Sequence, residues 1–204
     1  MHSKHALILL FGVSALAFTG CEGMFTSDVI NEINEQNAGQ TTRPLHAYVQ
    51  FDGLEGEAST AGYEGWSRVF SLEDGVTNVP NLFVGGGGGA SGKAVFEPIR
   101  IVKQQDTASP ALFQHLVQSM HIPAASIAVL RETQGGLFEY YRYDLESVFI
   151  AKYQLGEPDH QDGTPTVVIE LAFAKITITY TPLEADGSPG SPVTASWDLQ
   201  AQTK

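Results

Sequence analysis

Apolar residues recur at every second position through much of Thr166–Thr181, the spacing that half-buries a β-strand, because successive side chains of an extended chain point to opposite faces. Val167, Ile169, Leu171 and Phe173 share one face, but the next apolar set is Ile176, Ile178 and Tyr180. The inward face therefore changes near Ala174 and Lys175, as it does at a bulge or where a strand turns a corner. Asp186-Gly187 and Pro189-Gly190 fill the connection that follows with residues suited to turns. The return limb alternates again, with Val193, Ala195, Trp197 and Leu199 on one side and Thr194, Ser196, Asp198 and Gln200 on the other. The block reads as a long hairpin with one core face and one face that is wet or covered by a partner.

The same period predicts a strand over Leu45–Asp52, a second containing Trp66, Arg68, Phe70 and Leu72, and others over Val95–Val102, Ser126–Arg131, Leu137–Leu145 and Ser147–Tyr153. Helical spacing is convincing once, over Ser109–Met120. Ser109 can cap, Pro110 suits the first turn and Pro123 lies just beyond the end. Leu112, Phe113, Leu116, Val117 and Met120 fall within a sector of about 140°, wide enough to dock on a sheet. Phe173, Ile176, Trp197, Leu112, Phe113 and Leu116 are the predicted core, and Trp66 is expected to pack rather than to hold a ligand.

With 204 residues, 43% of them apolar, the chain can bury one good core, so one domain with an extension is expected. Its formal charge of −12 argues against nucleic acid as a partner, since phosphate binding needs clustered Lys and Arg and the 11 present are scattered. Cys21 is the only cysteine, so no disulfide can form within the chain.

The position of Cys21 changes the picture of the N-terminus. Thirteen mostly apolar residues, Ala6–Phe18, follow Lys4, a run too short to span a bilayer but suited to the apolar region of a secretory signal. Leu16-Ala-Phe-Thr-Gly-Cys21 resembles the lipobox of bacterial lipoproteins, which implies cleavage before Cys21 and its lipidation. Cleavage without lipidation, an uncleaved leader and a misassigned start codon are the alternatives. Glu22–Arg43 is polar and reads as a tether, with a reach of roughly 25 Å as a flexible coil. A short helix from Ser27 could put Val29, Ile30 and Ile33 on one face. The expected division is residues 1–20 as signal, 21–43 as tether and 44–204 as the folded domain.

Chemistry is sparse. Gly87-x4-Gly92-Lys93 approaches a phosphate-binding loop, but Ala94 stands where a hydroxyl would hold Mg²⁺, and a strand pattern with Pro98 follows where a helix is needed. Gly85–Gly89 is therefore read as a glycine loop. His46, His115, His121 and His160 lack metal-ligand spacing. Asp159-His-Gln-Asp-Gly163 lacks the alternating acids of a calcium loop. Asp52, Glu55 and Glu57 could pair as carboxylates, but acids beside glycine in a turn are ordinary. No Gly-x-Ser-x-Gly elbow occurs. No metal, cofactor or catalytic set is expected.

Several blocks, taken in order, resemble the haemolysin-coregulated protein (Hcp) family, the tube protein of bacterial type VI secretion. They are the opening strand with Gly56-Glu57 and Gly65-Trp66, the helix start Asp106-Thr-Ala-Ser-Pro-Ala-Leu-Phe113, the run Phe173-Ala-Lys-Ile-Thr-Ile-Thr-Tyr-Thr-Pro182, Ala185-Asp-Gly-Ser188, and Ala195-Ser-Trp-Asp-Leu199. The resemblance covers about Leu45–Gln202. It implies an antiparallel β-barrel of about eight or nine strands with one flanking helix, assembling into homo-hexameric rings that stack and carry or chaperone effectors. It also assigns a ring-stacking role to Gly85, Gly86, Gly87, Gly88, Gly89, Gly92 and Lys93, and names spike and sheath proteins as further partners. An exported ring or binding module, held to a membrane by lipid on Cys21 and unconnected with injection, is the alternative. An enzyme hidden on the barrel is a third class.

Overall fold

The computed structural model describes residues 45–78, 93–133, 135–159, 163–184 and 186–201; the predicted signal and tether, Cys21, Gly85–Gly89 and Gly92 lie outside them. In chain order the elements are β1 (His46–Phe51), β2 (Ser67–Glu73), β3 (Val76–Asn78), β4 (Ala94–Phe96), β5 (Ile99–Gln104), α1 (Ser109–Val117), β6 (His121–Thr133), β7 (Gly136–Leu155), β8 (Thr166–Ala172), β9 (Lys175–Tyr180) and β10 (Val193–Asp198). Pairings run β7-β6-β1-β2-β5-β8 and return to β7, so six strands close a barrel, with β9 and β10 outside it. All these pairings are antiparallel.

Closure rests on β7. Its first part pairs with β6 on one side and β9 on the other, up to Glu146 opposite Lys175; from Phe149 onward it pairs with β8. The predicted change of face at Ala174 and Lys175 lies at this switch, between the end of β8 and the start of β9. Opposite it, Ser147 takes φ 51°, a left-handed value unusual for a residue with a side chain. Leu137–Leu145 and Ser147–Tyr153, expected as two strands, are one strand of 20 residues, because the ladder to β6 continues past this kink.

Val49, Val69, Ile99, Ile101, Ile127 and Ile169, contributed by five strands, fill the barrel. Leu112 joins them from α1, and Ile176 from β9. Phe173 and Leu116 are partly buried against this core. Phe113, predicted as core, is 50% exposed and lies edge-on to Tyr153, with ring centroids 5.7 Å apart. The apolar sector of the helix is wider than the stripe that touches the barrel: Leu112 turns inward, while Phe113 and Val117 stay outside.

The helix start also differs from expectation. Ser109 does not cap; Ala108 holds that position without a side-chain cap bond, and the carboxylate of Asp106 accepts from the Ala108 N–H at 3.2 Å. Ser109 instead joins a buried cluster around Lys103, which is fully enclosed on β5. Lys103 Nζ donates to the Gln104 carbonyl at 2.6 Å, to Asp106 Oδ1 at 2.7 Å and to Ser109 Oγ at 3.1 Å. An ammonium has three protons, and all three are used. Burial pushes Lys103 below its ordinary value of 10.5, while the bond and charge of Asp106 oppose that shift.

Two predictions follow from this packing. Leu112→Ala should cost about 2–5 kcal/mol by removing a fully buried side chain, whereas Phe113→Ala should stay within about 0.5 kcal/mol; denaturant midpoints of the two variants make the comparison. Asp106→Asn leaves the Lys103 ammonium buried without its counter-charge and should cost about 3–5 kcal/mol near neutral pH. The folded variant then disfavours protonated Lys103 while its unfolded chain still binds the proton, so its stability should rise with pH towards 10.5 more steeply than wild type. Urea unfolding of both proteins across that range checks the slope.

Candidate assembly surface

The register across the sheet builds a surface that no single element contains. Facing residues of adjacent strands share a face, so Ala47, Val129, Tyr141, Tyr180 and Val193 form one row across β1, β6, β7, β9 and β10. Val49, Ile127, Tyr143, Ile178 and Ala195 form the next, and Phe51, Ala125, Leu145, Ile176 and Trp197 the third. Every residue in the three rows is apolar or aromatic.

Burial fades along these rows. In the first, exposure rises from 1% at Ala47 and 5% at Val129 to 45% at Tyr180 and 67% at Val193. The physical cause is the barrel itself: its interior covers β1 and β6, but β9 and β10 lie beyond closure, where no second layer among the described residues covers their continuation of the same face. Tyr141 bridges the two regions, with ring centroids 5.1 Å from Tyr143 and 6.4 Å from Tyr180. Burial pushes the Tyr143 hydroxyl up strongly, with Asp74 adding to the shift.

Trp197, predicted as core, is only partly buried, packed against the core at the end of the third row. Val193 and Ala195, expected on a core face, are exposed. β10 alternates as its sequence predicts, but within one chain its apolar side is covered only at Trp197, and there in part.

The reverse side of these strands is polar. Ser126, Asp144, Thr177 and Ser196 form one row, and Arg142, Thr179 and Thr194 lie in the next. Ser126 Oγ donates to Asp144 Oδ1 at 2.6 Å, Arg142 Nε donates to the same oxygen at 2.9 Å, and Lys175 pairs with Glu146 at 2.6 Å. β10 has one ladder, to β9; its other edge has no partner strand among the described residues. An unpaired edge without Lys or Pro in the strand is a template for another chain.

A separate cluster braces the outside of the barrel. The Gly56-Glu57 and Gly65-Trp66 motifs meet directly: Gly56 N–H donates to the Gly65 carbonyl at 2.7 Å and Ala58 N–H to the Trp66 carbonyl at 2.8 Å. A Cβ on Gly56 would lie 2.5 Å from the Trp66 oxygen, which accounts for the glycine. Tyr63 stacks on Tyr48 at 5.1 Å, meets Trp66 edge-on at 5.2 Å and donates to Glu139 at 2.6 Å. Trp66 is therefore buried as predicted, but in this outer cluster with Tyr48, Ala128 and Leu130 rather than in the barrel.

The structure places the acids singled out in the sequence at the surface. Asp52, Glu55 and Glu57 are exposed. Thr107 ties the last two to the start of α1, its N–H donating to Glu57 at 3.1 Å and its hydroxyl to the Glu55 carbonyl at 2.8 Å. Among the described residues, no group of three or more His, Cys, Asp or Glu could hold a metal ion. His160 and its two following neighbours, like Cys21 and the glycine run, lie outside the described residues; Lys93 is described and exposed.

Residues 48–180 match the protein family described as type VI secretion system effector, Hcp. A solved structure described as that of a type six secretion system protein superimposes with a TM-score of 0.71 at 23% identity, covering 78% of this chain and 98% of that one. Hcp1 from Salmonella typhimurium superimposes at 0.61 with 20% identity, covering 78% of this chain and 98% of its own. The Hcp1 protein of E. coli EAEC 042 gives 0.58 at 21% identity, with 76% and 98% covered. No curated protein matches the chain.

The exposed end of the rows generates a prediction about the single chain. Tyr180→Ser and Val193→Arg should each change the unfolding free energy of the monomer by no more than about 0.5 kcal/mol, as surface substitutions do, measured by denaturant melts at dilution sufficient to exclude association.

Proposed function

We propose that this chain, which belongs to the Hcp family of type VI secretion system effectors, is a structural subunit whose copies close into hexameric rings that stack as a tube. The observation that carries the reading is the apolar face that runs out of the barrel core onto β9 and β10 and ends beside an unpaired strand edge. Leaving Tyr180, Val193 and Trp197 in water costs the transfer free energy that burial would recover, and a neighbouring copy supplies the missing layer. A contact between unlike patches of successive copies closes into a ring when its rotation allows. The family match and the barrel fold support this role, which asks nothing catalytic of the chain. Carriage of effectors and contact with spike or sheath proteins are the finer parts of the proposal.

A second reading is favoured by a specific observation, the sequence Leu16-Ala-Phe-Thr-Gly-Cys21. In this reading residues 1–20 are a signal, 21–43 a tether and 44–204 the ring-forming domain, held to a membrane through lipid on Cys21. Among the described residues no helix is long and apolar enough to cross a membrane, so anchoring would come from acyl chains, at about 0.8 kcal/mol per buried CH₂. A subunit so anchored could not load into a cytoplasmic sheath, and its rings would work outside the cytoplasm.

Light scattering and electron microscopy of purified protein test the first reading: the wild type should form rings without added nucleotide or metal, and Val193→Arg should reduce the mass towards a monomer. A strictly monomeric wild type at tens of micromolar overturns it. Palmitate labelling of cells producing wild type or Cys21→Ser, with fractionation, tests the second. Membrane-bound, labelled wild type and unlabelled variant are expected; unlabelled cytosolic wild type retaining Met1 excludes the anchor.

A further inference from the structure

In a chain of formal charge −12, the stretch Thr107–Leu130 contains no Asp, Glu, Lys or Arg. α1 and the turn after it come from this stretch, and α1 packs on β7. Phe113 lies against Tyr153 near the start of α1, and His121 against Phe149 just past its end, with ring centroids 5.7 and 6.0 Å apart. The part of β7 that α1 follows is nearly as bare of charge. Between Glu146 and Glu157 its one charged residue is Lys152, which pairs with Glu170 at 3.3 Å.

This uncharged surface is also apolar. Phe113, Val117, Met120 and Phe149 are each between 39% and 59% exposed. Phe113 and Val117 stand one helical turn apart and so share a side of α1, while Leu112 and Leu116 turn to the core. Beyond the helix, Ser119 takes φ 52° and the Met120 N–H donates to the His115 carbonyl at 2.9 Å, which folds Met120 back against the last turn. The exposed polar residues among them, Gln114, Gln118 and Ser119, are neutral. Carboxylates stand only at the margins: Glu57 accepts from the Thr107 N–H before α1, and Glu170 holds Lys152.

We propose that this side of the domain rests on a lipid surface, with Phe113, Val117, Met120 and Phe149 entering the boundary between headgroups and acyl chains and the side-chain amides of Gln114 and Gln118 staying at headgroup level. The contact rests on the reading in which lipid on Cys21 anchors the chain. A tether with a reach of roughly 25 Å holds the domain beside the bilayer at high effective concentration, so a few apolar side chains suffice to orient it. Charge selects the lipid surface as the occupant. An anionic leaflet repels a chain that carries 23 acids against 11 bases, and it repels least the side on which no carboxylate stands. The same side offers no charged group by which a protein partner would be selected, whereas a bilayer interface takes up exposed aromatic and aliphatic side chains without one.

Site-specific fluorescence in the full chain tests it. Val117→Cys and, on the polar side of β10, Thr194→Cys are produced with the leader intact and reconstituted into vesicles of phosphatidylethanolamine and phosphatidylglycerol. Lipidation consumes the Cys21 sulfur, so the introduced cysteine is the thiol that takes an environment-sensitive fluorophore. Spin-labelled phospholipid should quench most of the Val117 signal and leave the Thr194 signal unchanged. Adding Phe113→Ser and Phe149→Ser should abolish most of the quenching at Val117 while the protein still floats with the vesicles. Absence of quenching at Val117, or equal quenching at both positions, overturns the proposal. So does a Val117 label already shielded from aqueous iodide before reconstitution in a species of oligomeric mass, which would give this side to a second copy. Protein that keeps a free Cys21 thiol and does not float overturns the anchor reading and this contact with it, a result that thiol titration separates from the others.

Discussion

Everything in this molecule depends on one strand being longer than the barrel it closes. β7 runs for 20 residues and changes partner midway, from β9 to β8. Had it stayed with one partner along that edge, the sheet would have remained open or the barrel would have had no extension. The switch is accomplished in a few residues, where Phe173 and Ala174 interrupt the ladder and Ser147 adopts a left-handed backbone opposite them. A conformation that an ordinary side chain disfavours persists there because the ladders on both sides of it over-determine the backbone.

The extension follows from that closure. A closed barrel has no edges and hides its inner face completely, so by itself it offers neighbours little to hold. By carrying its inner face past the closure point onto β9 and β10, the chain acquires an apolar surface continuous with its own core and a strand edge beside it. The same rows thus build the core near β6 and lie open near β10, and Tyr141 marks the passage between the two.

The helix is tied to the barrel by different means. Leu112 anchors it by burial, but its start is held by Lys103, whose ammonium reaches three acceptors around the β5–α1 turn. A buried ion pair contributes little net stability, and its value lies in direction: few other placements of the turn satisfy all three protons. With that end oriented, Phe113 and Val117 are left facing out, which turns one side of a docked helix into exposed surface.

The sequence alone determined the class of fold and the place of most elements. Period-two alternation, turn residues and one capped helical stretch are local signals, and they located the strands, the helix and the change of face near Ala174 without any knowledge of pairing. The blocks around Gly56, Gly65, Asp106 and Phe173 pointed to the Hcp family on the same local terms. Periodicity tells which side chains share a face, but not whether another layer lies over that face, so it places Val193 and Phe113 with the core although both are exposed, and Trp197 although the core covers it only in part. Ser109 suits a cap by residue type, but its hydroxyl is taken up by the buried cluster of Lys103 and Asp106 just before the helix. Strand order, the closure through β7 and the uncovered end of the apolar rows were decided only by the tertiary structure, because each depends on pairings between segments far apart in the chain, which no local pattern encodes.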